Sequence, residues 1–179
     1  MGIRLVPLLV SAGHEVAAMT RSPDKAGALR EMGGEPVVCD VYDADHLIAE
    51  VAGFGSEVVM HQLTDLPDDP SRIPEFAEAQ SRIRREGRRS LIAAAQAAGA
   101  TRFVAQSIAW DTDSPVVIDL ESAVLDSNGV VIRYGQFYGP GTYFDGTEPP
   151  PLRIQIDEAA ARTVTALLDA EPGVVTILE

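Results

Sequence analysis

A short apolar run that follows a helix stop and ends in a charged tip constrains the fold of this chain more than any other feature. Residues 15–23 read Glu-Val-Ala-Ala-Met-Thr-Arg-Ser-Pro, which is an apolar run of strand length followed by a basic residue and a turn. The residues before it, Leu5 to His14, have the pattern of a short helix that Gly13 stops, because glycine lacks a Cβ and accepts the left-handed conformation after a helix. Helix, glycine stop and strand form the second half of a βαβ unit.

The first half of such a unit is a strand followed by a glycine-rich turn. The chain opens at Met1-Gly2-Ile3-Arg4-Leu5, where that turn is expected to finish. We therefore expect the first strand and most of the glycine-rich loop to be missing, and the neighbouring strands near 16–19 and 58–60 to carry unpaired edges. Unpaired edges favour pairing with another chain, so a homodimer is expected rather than a monomer.

Further apolar runs alternate with helical patterns along the rest of the chain. Because these runs are apolar throughout, they predict a parallel sheet that helices cover on both faces. The pattern thus predicts an α/β, doubly wound parallel sheet in a single domain over residues 1–179. Strands are predicted at 36–41, 57–64, 102–107, 130–134 and 174–178, and helices at 23–32, 43–52, 74–98, 120–125 and 157–170.

Composition excludes several classes of partner and site. The formal net charge of −13 disfavours binding to nucleic acid or to an anionic membrane surface, and no apolar run approaches the roughly 18–20 residues of a membrane span. Cys39 is the one cysteine and the three histidines are scattered, so an internal disulfide is excluded and no metal site is expected. A cytoplasmic location fits this composition. One basic cluster is either a solvated helix face or a patch for a partner or phosphate: Arg82, Arg84, Arg85, Arg88 and Arg89.

Seven segments in chain order resemble the extended and atypical short-chain dehydrogenase/reductase superfamily, and within it the NAD(P)-dependent epimerase/dehydratase-like proteins. They are Gly2–Leu5, Cys39–Asp43, Val58–Thr64, Gly87–Gly99, Arg102–Ser107, Arg133–Gly141 and Ile154–Ala159. The resemblance implies a Rossmann-like fold, NADP or NAD as cofactor, and a sugar-nucleotide-like or other small hydroxy or keto substrate that is bound by a reduced region around 134–156.

The resemblance also assigns site residues. Gly2 looks like the last glycine of the dinucleotide fingerprint, Asp40 and Val41 lie in the element near the adenine, and Gln62 lies on the strand beneath the cofactor. Ser107 stands at the end of the strand that delivers the family's catalytic Ser or Thr. Asp40 has an alternative role as the cap of the following turn.

Arg21 and Ser22 stand at the tip of the second strand of the expected βαβ unit. A basic residue there suits a 2′-phosphate, whereas an acidic one favours the 2′-hydroxyl of NAD. The pair is either an NADP contact or an ordinary exposed tip.

The departures from the family pattern bear on catalysis. Lys25 is the one lysine in the chain, so no Tyr-x-x-x-Lys pair exists. Arg84 stands where the family usually has asparagine, and Gln155 stands in place of a histidine. The chain also looks shortened between 110 and 120 and between 144 and 152.

These departures leave three functions open: a reduced NAD(P)-dependent epimerase/dehydratase-like protein whose activity is in doubt, a non-catalytic binding or regulatory protein, or a cofactor-independent isomerase or cyclase. Ser107 either acts in catalysis or lacks a proton acceptor. Tyr134 and Tyr138 either act as acids or pack at strand edges, and His61 has the pattern of a core histidine.

Overall fold

The computed structural model describes all residues, 1–179. Strands and helices alternate through most of the chain. The helices are α1 Gly2–Ser11, α2 Ala26–Glu31, α3 Ala44–Phe54, α4 Ala77–Arg82, α5 Arg88–Ala97, α6 Pro115–Asp126 and α7 Ile156–Asp169. The strands are β1 Ala17–Thr20, β2 Glu35–Val38, β3 Val58–His61, β4 Arg102–Ile108, β5 Val130–Tyr134, β6 Gln136–Tyr138, β7 Arg153–Gln155 and β8 Gly173–Ile177. None of the helices is both long and apolar enough to cross a membrane.

All strand pairs are parallel, and they form three groups. The largest group has the order β3-β4-β5-β8, a second pairs β1 with β2, and a small one pairs β6 with β7. No strand is hydrogen-bonded between β1 and β3, so each of these strands keeps one unpaired edge. The Rossmann-like α/β class expected from the sequence is confirmed. The homodimer inferred from the unpaired edges stays a prediction.

Two apolar cores lie on opposite faces of the sheet, as a doubly wound fold requires. Phe103 and Ala105 of β4 point into one core with α3, α5 and α6, whereas Val104 points into the other with α7. Side chains alternate between faces along a strand, so a strand covered on both sides must be apolar at every position. This explains why β4 and β5 are apolar over most of their length.

Several element boundaries differ from the sequence expectation. The helix predicted over 74–98 is a 3₁₀ segment at Pro70–Phe76, then α4, a π-helical segment at Ile83–Gly87 and α5. Helix α6 begins earlier than expected, with Pro115 in its first turn, where the missing proline N–H costs nothing. The β6–β7 pair was not predicted, because two three-residue strands carry too little periodicity to be detected.

The close contact between Gly135 and β7 gives a stability test of the substrate-side region. A Cβ at Gly135 would lie about 2.7 Å from the Arg153 backbone, whereas a Cβ at Gly53, on α3, would meet nothing within 4 Å. We expect Gly135→Ala to lower the free energy of unfolding by about 1–3 kcal/mol through overpacking. The matched change Gly53→Ala should raise it by up to about 0.5–1 kcal/mol because alanine favours the helix. Urea denaturation measures both, and a neutral Gly135→Ala would show that β6 and β7 are not tightly joined.

Candidate functional site

Parallel pairing brings the predicted site residues to one end of the molecule, the carboxyl ends of the strands. Arg21 and Ser22 follow β1, Asp40 and Val41 follow β2, Gln62 follows β3, and Ser107 lies near the end of β4. Helix α1 runs antiparallel to the strand that follows it, so its first residue, Gly2, lies at the same end. Arg4 of this first turn donates to the carbonyl of Pro140 in the loop after β6, which confirms that arrangement. In open α/β sheets this end holds the ligand crevice.

The residues after β1 and β2 are tied into local bonds. One Arg21 NH group donates to Asp65, and the Arg21 side chain is 51% exposed. The Ser22 N–H donates to Thr20 Oγ1 over 3.1 Å, and Asp40 Oδ1 accepts from the Tyr42 N–H over 3.0 Å. Asp40 thus makes the local cap that the sequence left as an alternative, and its second carboxylate oxygen is free of protein partners. The Val41 side chain is buried in the core, so it is not available to contact a ligand.

Ser107 belongs to a buried polar network. Its Oγ donates to Glu121 Oε1 over 2.6 Å, and Arg133 Nε donates to the same oxygen over 2.9 Å. The β4–β5 register places Ser107 directly opposite Arg133, and α6 supplies Glu121 from above the pair. Burial by itself would raise the pKa of Glu121, but the hydrogen bonds from Arg133 and Ser107 and the arginine charge hold it below its ordinary value. Glu121 is therefore an anion, and the Ser107 proton points at it.

A second network fixes the hydroxyl of Tyr134. Thr163 Oγ1 donates to the Ala159 carbonyl over 2.6 Å, so in the 2.8 Å contact between Tyr134 and Thr163 the tyrosine is the donor. Gln62 Nε2 donates to the same tyrosine oxygen over 3.2 Å. Burial is the main reason that the pKa of Tyr134 rises to about 12. The proton of Tyr134 is committed to the interior, whereas Gln62 Oε1 is buried and has no donor.

Tyr138 and His61 have defined partners as well. The Tyr138 hydroxyl donates to the carboxylate of Glu179, and that bond raises the pKa of the tyrosine. His61 is fully buried, and its Nε2 lies 3.3 Å from the Ile83 carbonyl in the π-helical segment. Burial is the main cause that lowers the pKa of His61, so the ring is neutral at pH 7 and Nε2 carries its proton. His61 lies in the core, as its apolar strand predicts.

Glu121 and Thr163 were not anticipated from the sequence, although a signal existed. Glu121 lies one helical turn from Val117 and from Val124 on the buried face of α6, and Thr163 holds the same kind of position between Ala159 and Leu167 on α7. A polar residue on the apolar stripe of a helix needs a buried partner. The sequence marks such residues but does not reveal the partner.

A sizeable cavity lies away from this end of the sheet. It has a volume of about 680 Å³ and opens at the amino ends of β1 and β2, where its lining includes Glu15, Glu35 and Glu50. An acidic lining repels phosphate groups. The carboxyl end of the sheet is therefore the better site for an anionic nucleotide.

The Glu121 network predicts a specific loss of stability in acid. Its pKa in the folded protein lies below the ordinary value of 4.5, so the network stabilises the fold above that pH and loses its effect as pH falls through the folded value. We expect Glu121→Gln to lower the free energy of unfolding at pH 7 by about 1.5–3 kcal/mol, because the bonds to charged groups are lost. The difference in the free energy of unfolding between Glu121→Gln and the parent protein should become smaller below pH 4.5. Urea denaturation from pH 7 to pH 3 measures this difference.

Glu86→Gln is the control for this experiment, because the Arg82–Glu86 pair is exposed and should contribute no more than about 0.5 kcal/mol. A pH-independent loss in Glu121→Gln would mean that packing, not charge, is the property of Glu121 that stabilises the fold.

The chain resembles known proteins over most of its length. The family model described as NAD(P)H-binding matches residues 1–128. The 3-diazoavenalumate denitrifying reductase of a Streptomyces species is 36% identical in an alignment of 184 residues that covers 86% of this chain and 58% of that protein. An uncharacterised Schizosaccharomyces pombe protein is 29% identical over 174 residues, which are 97% of this chain and 47% of that protein. The chain thus spans about half the length of these curated relatives.

Solved structures agree on the fold. UDP-glucose 4-epimerase of Thermus thermophilus, solved with NAD, has a TM-score of 0.76 at 18% identity and matches 99% of this chain and 74% of its own. The Thermotoga maritima UDP-glucose 4-epimerase, solved with UDP-glucose, has a TM-score of 0.78 at 15% identity and matches 99% of this chain and 73% of its own. Identities this low establish the architecture alone. Together with the family model, which matches well over half of the residues, they confirm the resemblance seen in the sequence: the chain belongs to the NAD(P)H-binding family.

Proposed function

We propose that this protein binds a nicotinamide dinucleotide across the carboxyl ends of β1 to β4 and acts as a short-chain-dehydrogenase-type reductase on a small substrate held by residues 134–156. The observation that carries the proposal is the convergence of Gly2, Arg21, Asp40, Gln62 and Ser107 at one end of the sheet. These residues come from five separate segments of the chain, and the common direction of the strands together with helix α1 places them at the same end.

The groups at this end suit the parts of a dinucleotide. The backbone N–H groups of Gly2 and Ile3 begin α1 and have no acceptor in the protein, so they can receive a phosphate at the positive end of a helix. Arg21 has the charge for a 2′-phosphate, and the free oxygen of Asp40 suits a hydroxyl or amino group. The unsatisfied Gln62 Oε1 would gain a donor from a bound ligand.

The hydrogen-bond directions of Ser107 and Tyr134 limit which reduction this site can catalyse. A bound reduced nicotinamide would supply a hydride to the substrate. Ser107 donates its proton to Glu121 and Tyr134 donates its own to Thr163, so neither hydroxyl has a proton free for a substrate oxygen. Their oxygens can still accept hydrogen bonds and orient a bound molecule. Reduction of a carbonyl needs a proton donor at the oxygen, and general acid help of this kind is worth about 10²–10⁴ in rate.

This arrangement favours a substrate that takes a hydride without a proton from the protein. The Streptomyces relative is named as a denitrifying reductase of a diazo compound. When a hydride replaces a diazonium group, a C–H bond forms, N₂ leaves with the electrons of the C–N bond, and no proton is consumed. We propose this class of acceptor ahead of sugar nucleotides and hydroxyketones.

Turnover across a panel of acceptors tests the proposed reaction. We expect no detectable oxidation of NADPH or NADH with UDP-sugars or hydroxyketones, and oxidation above the enzyme-free background with an arenediazonium salt. The measurements are absorbance at the reduced-nicotinamide band and detection of the deaminated arene. Rapid turnover of a hydroxyketone that Ser107→Ala abolishes would contradict the proposal and make Ser107 a proton donor.

The Arg21–Asp65 ion pair predicts how the protein distinguishes NADPH from NADH. A 2′-phosphate must compete with Asp65 for the Arg21 guanidinium. We expect Arg21→Ala to weaken NADPH binding about tenfold, since a hydrogen bond between charged groups is worth about 1.5–3 kcal/mol, and to leave NADH within about twofold. Asp65→Asn should have the opposite effect and strengthen NADPH binding, because it removes the charge that competes for the Arg21 guanidinium.

Isothermal titration calorimetry of both variants with both cofactors measures these changes. Equal losses for NADPH and NADH in Arg21→Ala would remove Arg21 from the cofactor site.

A further inference from the structure

Arg84 differs from every other arginine in the chain because it is withdrawn from solvent and has no acceptor. It is half-buried on the π-helical segment and makes neither a hydrogen bond nor an ion pair with the protein. The arginines that bond a protein acceptor are Arg4, Arg21, Arg72, Arg82, Arg88, Arg102, Arg133, Arg153 and Arg162, whereas Arg30, Arg85 and Arg89 are exposed. Partial withdrawal of an unpaired charge from water has a free-energy cost, which a bound anion would offset.

The position of Arg84 places it at the end of the sheet that holds the candidate site. The π-helical segment lies beside the carboxyl end of β3, where the Ile83 carbonyl meets His61, and it packs against α6. Asp111, in the loop after β4, is a nearby carboxylate, but it forms no ion pair with Arg84. Burial is the main cause that lowers the pKa of Arg84, and the charge of Asp111 offsets it in part.

The surroundings of Arg84 offer no protein anion of suitable geometry. His61 is neutral, Asp111 is exposed, and Glu121 is already held by Arg133 and Ser107. A guanidinium presents parallel N–H groups that match a carboxylate or phosphate, so the group that would complete this site is an oxyanion from a ligand.

We propose that Arg84 binds the oxyanion of a ligand, a carboxylate or a phosphate, between the π-helical segment and the loop at 109–114. The inference rests on the proposed function for the position of the crevice and adds the chemical class of its occupant. The oxyanion has two sources: an acidic substrate, or the phosphates of the dinucleotide. Arg84 is half-buried on this segment, whereas the next residue, Arg85, is exposed.

The single tryptophan provides the readout. Trp110 is 47% exposed and precedes Asp111 in the same loop, so its fluorescence reports on a ligand beside Arg84. Inorganic phosphate, benzoate and NADPH are the probes, at constant ionic strength. The variants are Arg84→Gln, Arg84→Lys and, as the matched control on the same segment, Arg85→Gln.

We expect Arg84→Gln to weaken the binding of at least one of the three probes about tenfold or more. Arg84→Lys should weaken the binding of that probe less, and Arg85→Gln should change it by no more than about twofold. A loss of benzoate affinity with NADPH affinity unchanged identifies an acidic substrate as the source of the oxyanion. A loss of NADPH and phosphate affinity with benzoate affinity unchanged identifies the dinucleotide phosphates as the source of the oxyanion.

Two outcomes would overturn the inference: probe affinities in Arg84→Gln equal to those of the parent, or no saturable binding of any probe to the parent. Because Arg84 has no protein partner to lose, Arg84→Gln should not lower the thermal unfolding midpoint, and this measurement verifies that the variant is folded. If benzoate binds through Arg84 while NADPH does not bind at all, the proposed function fails and the oxyanion site stands.

Discussion

The parallel pairing of β4 with its neighbours is the interaction on which the rest of the structure depends. β4 bonds to β3 on one side and to β5 on the other, and its side chains enter both cores. The same register sets Ser107 opposite Arg133 and brings Gln62 close to Tyr134. The hydrogen bonds of β4 thus position both the core and the Ser107 and Gln62 part of the candidate site, so a shift of one residue in β4 would exchange the two faces and disrupt both.

The two buried polar networks hold the crevice in shape at the expense of proton donors. Glu121 is an anion because Arg133 and Ser107 stabilise its charge, and Tyr134 is held neutral because burial disfavours its phenolate. Both networks are satisfied within the protein, apart from the Gln62 amide oxygen. A site built this way orients a ligand well and protonates it poorly, which is the physical basis for preferring a reduction that needs no acid.

The arginines of the basic cluster from 82 to 89 look alike in the sequence, but they have different surroundings in the structure. Arg82 pairs with Glu86 on the surface and stacks over the Tyr42 ring, Arg88 is buried against Asp119, and Arg85 is exposed. Arg84 alone is both half-buried and unpaired. Helical spacing accounts for this division, since Arg82, Arg85 and Arg89 lie on the exposed face and Arg84 and Arg88 lie one turn apart on the inner face.

Much of the fold followed from the sequence because it depends on local patterns. Largely apolar strands such as Val130–Tyr134 indicated a covered parallel sheet, and the position of Ser107, Gln62 and Arg21 at strand ends placed them on one side of it. The partners of these residues did not follow, because each partner is distant in sequence: Glu121 and Arg133 for Ser107, Tyr134 for Gln62, and Asp65 for Arg21. Sequence periodicity determines which face a side chain occupies, whereas only tertiary packing decides what it meets there. For that reason the sequence by itself indicated the family and the end of the sheet that holds the candidate site. The tertiary structure alone decided that the protons of Ser107 and Tyr134 point inward and that Arg84 has no protein partner.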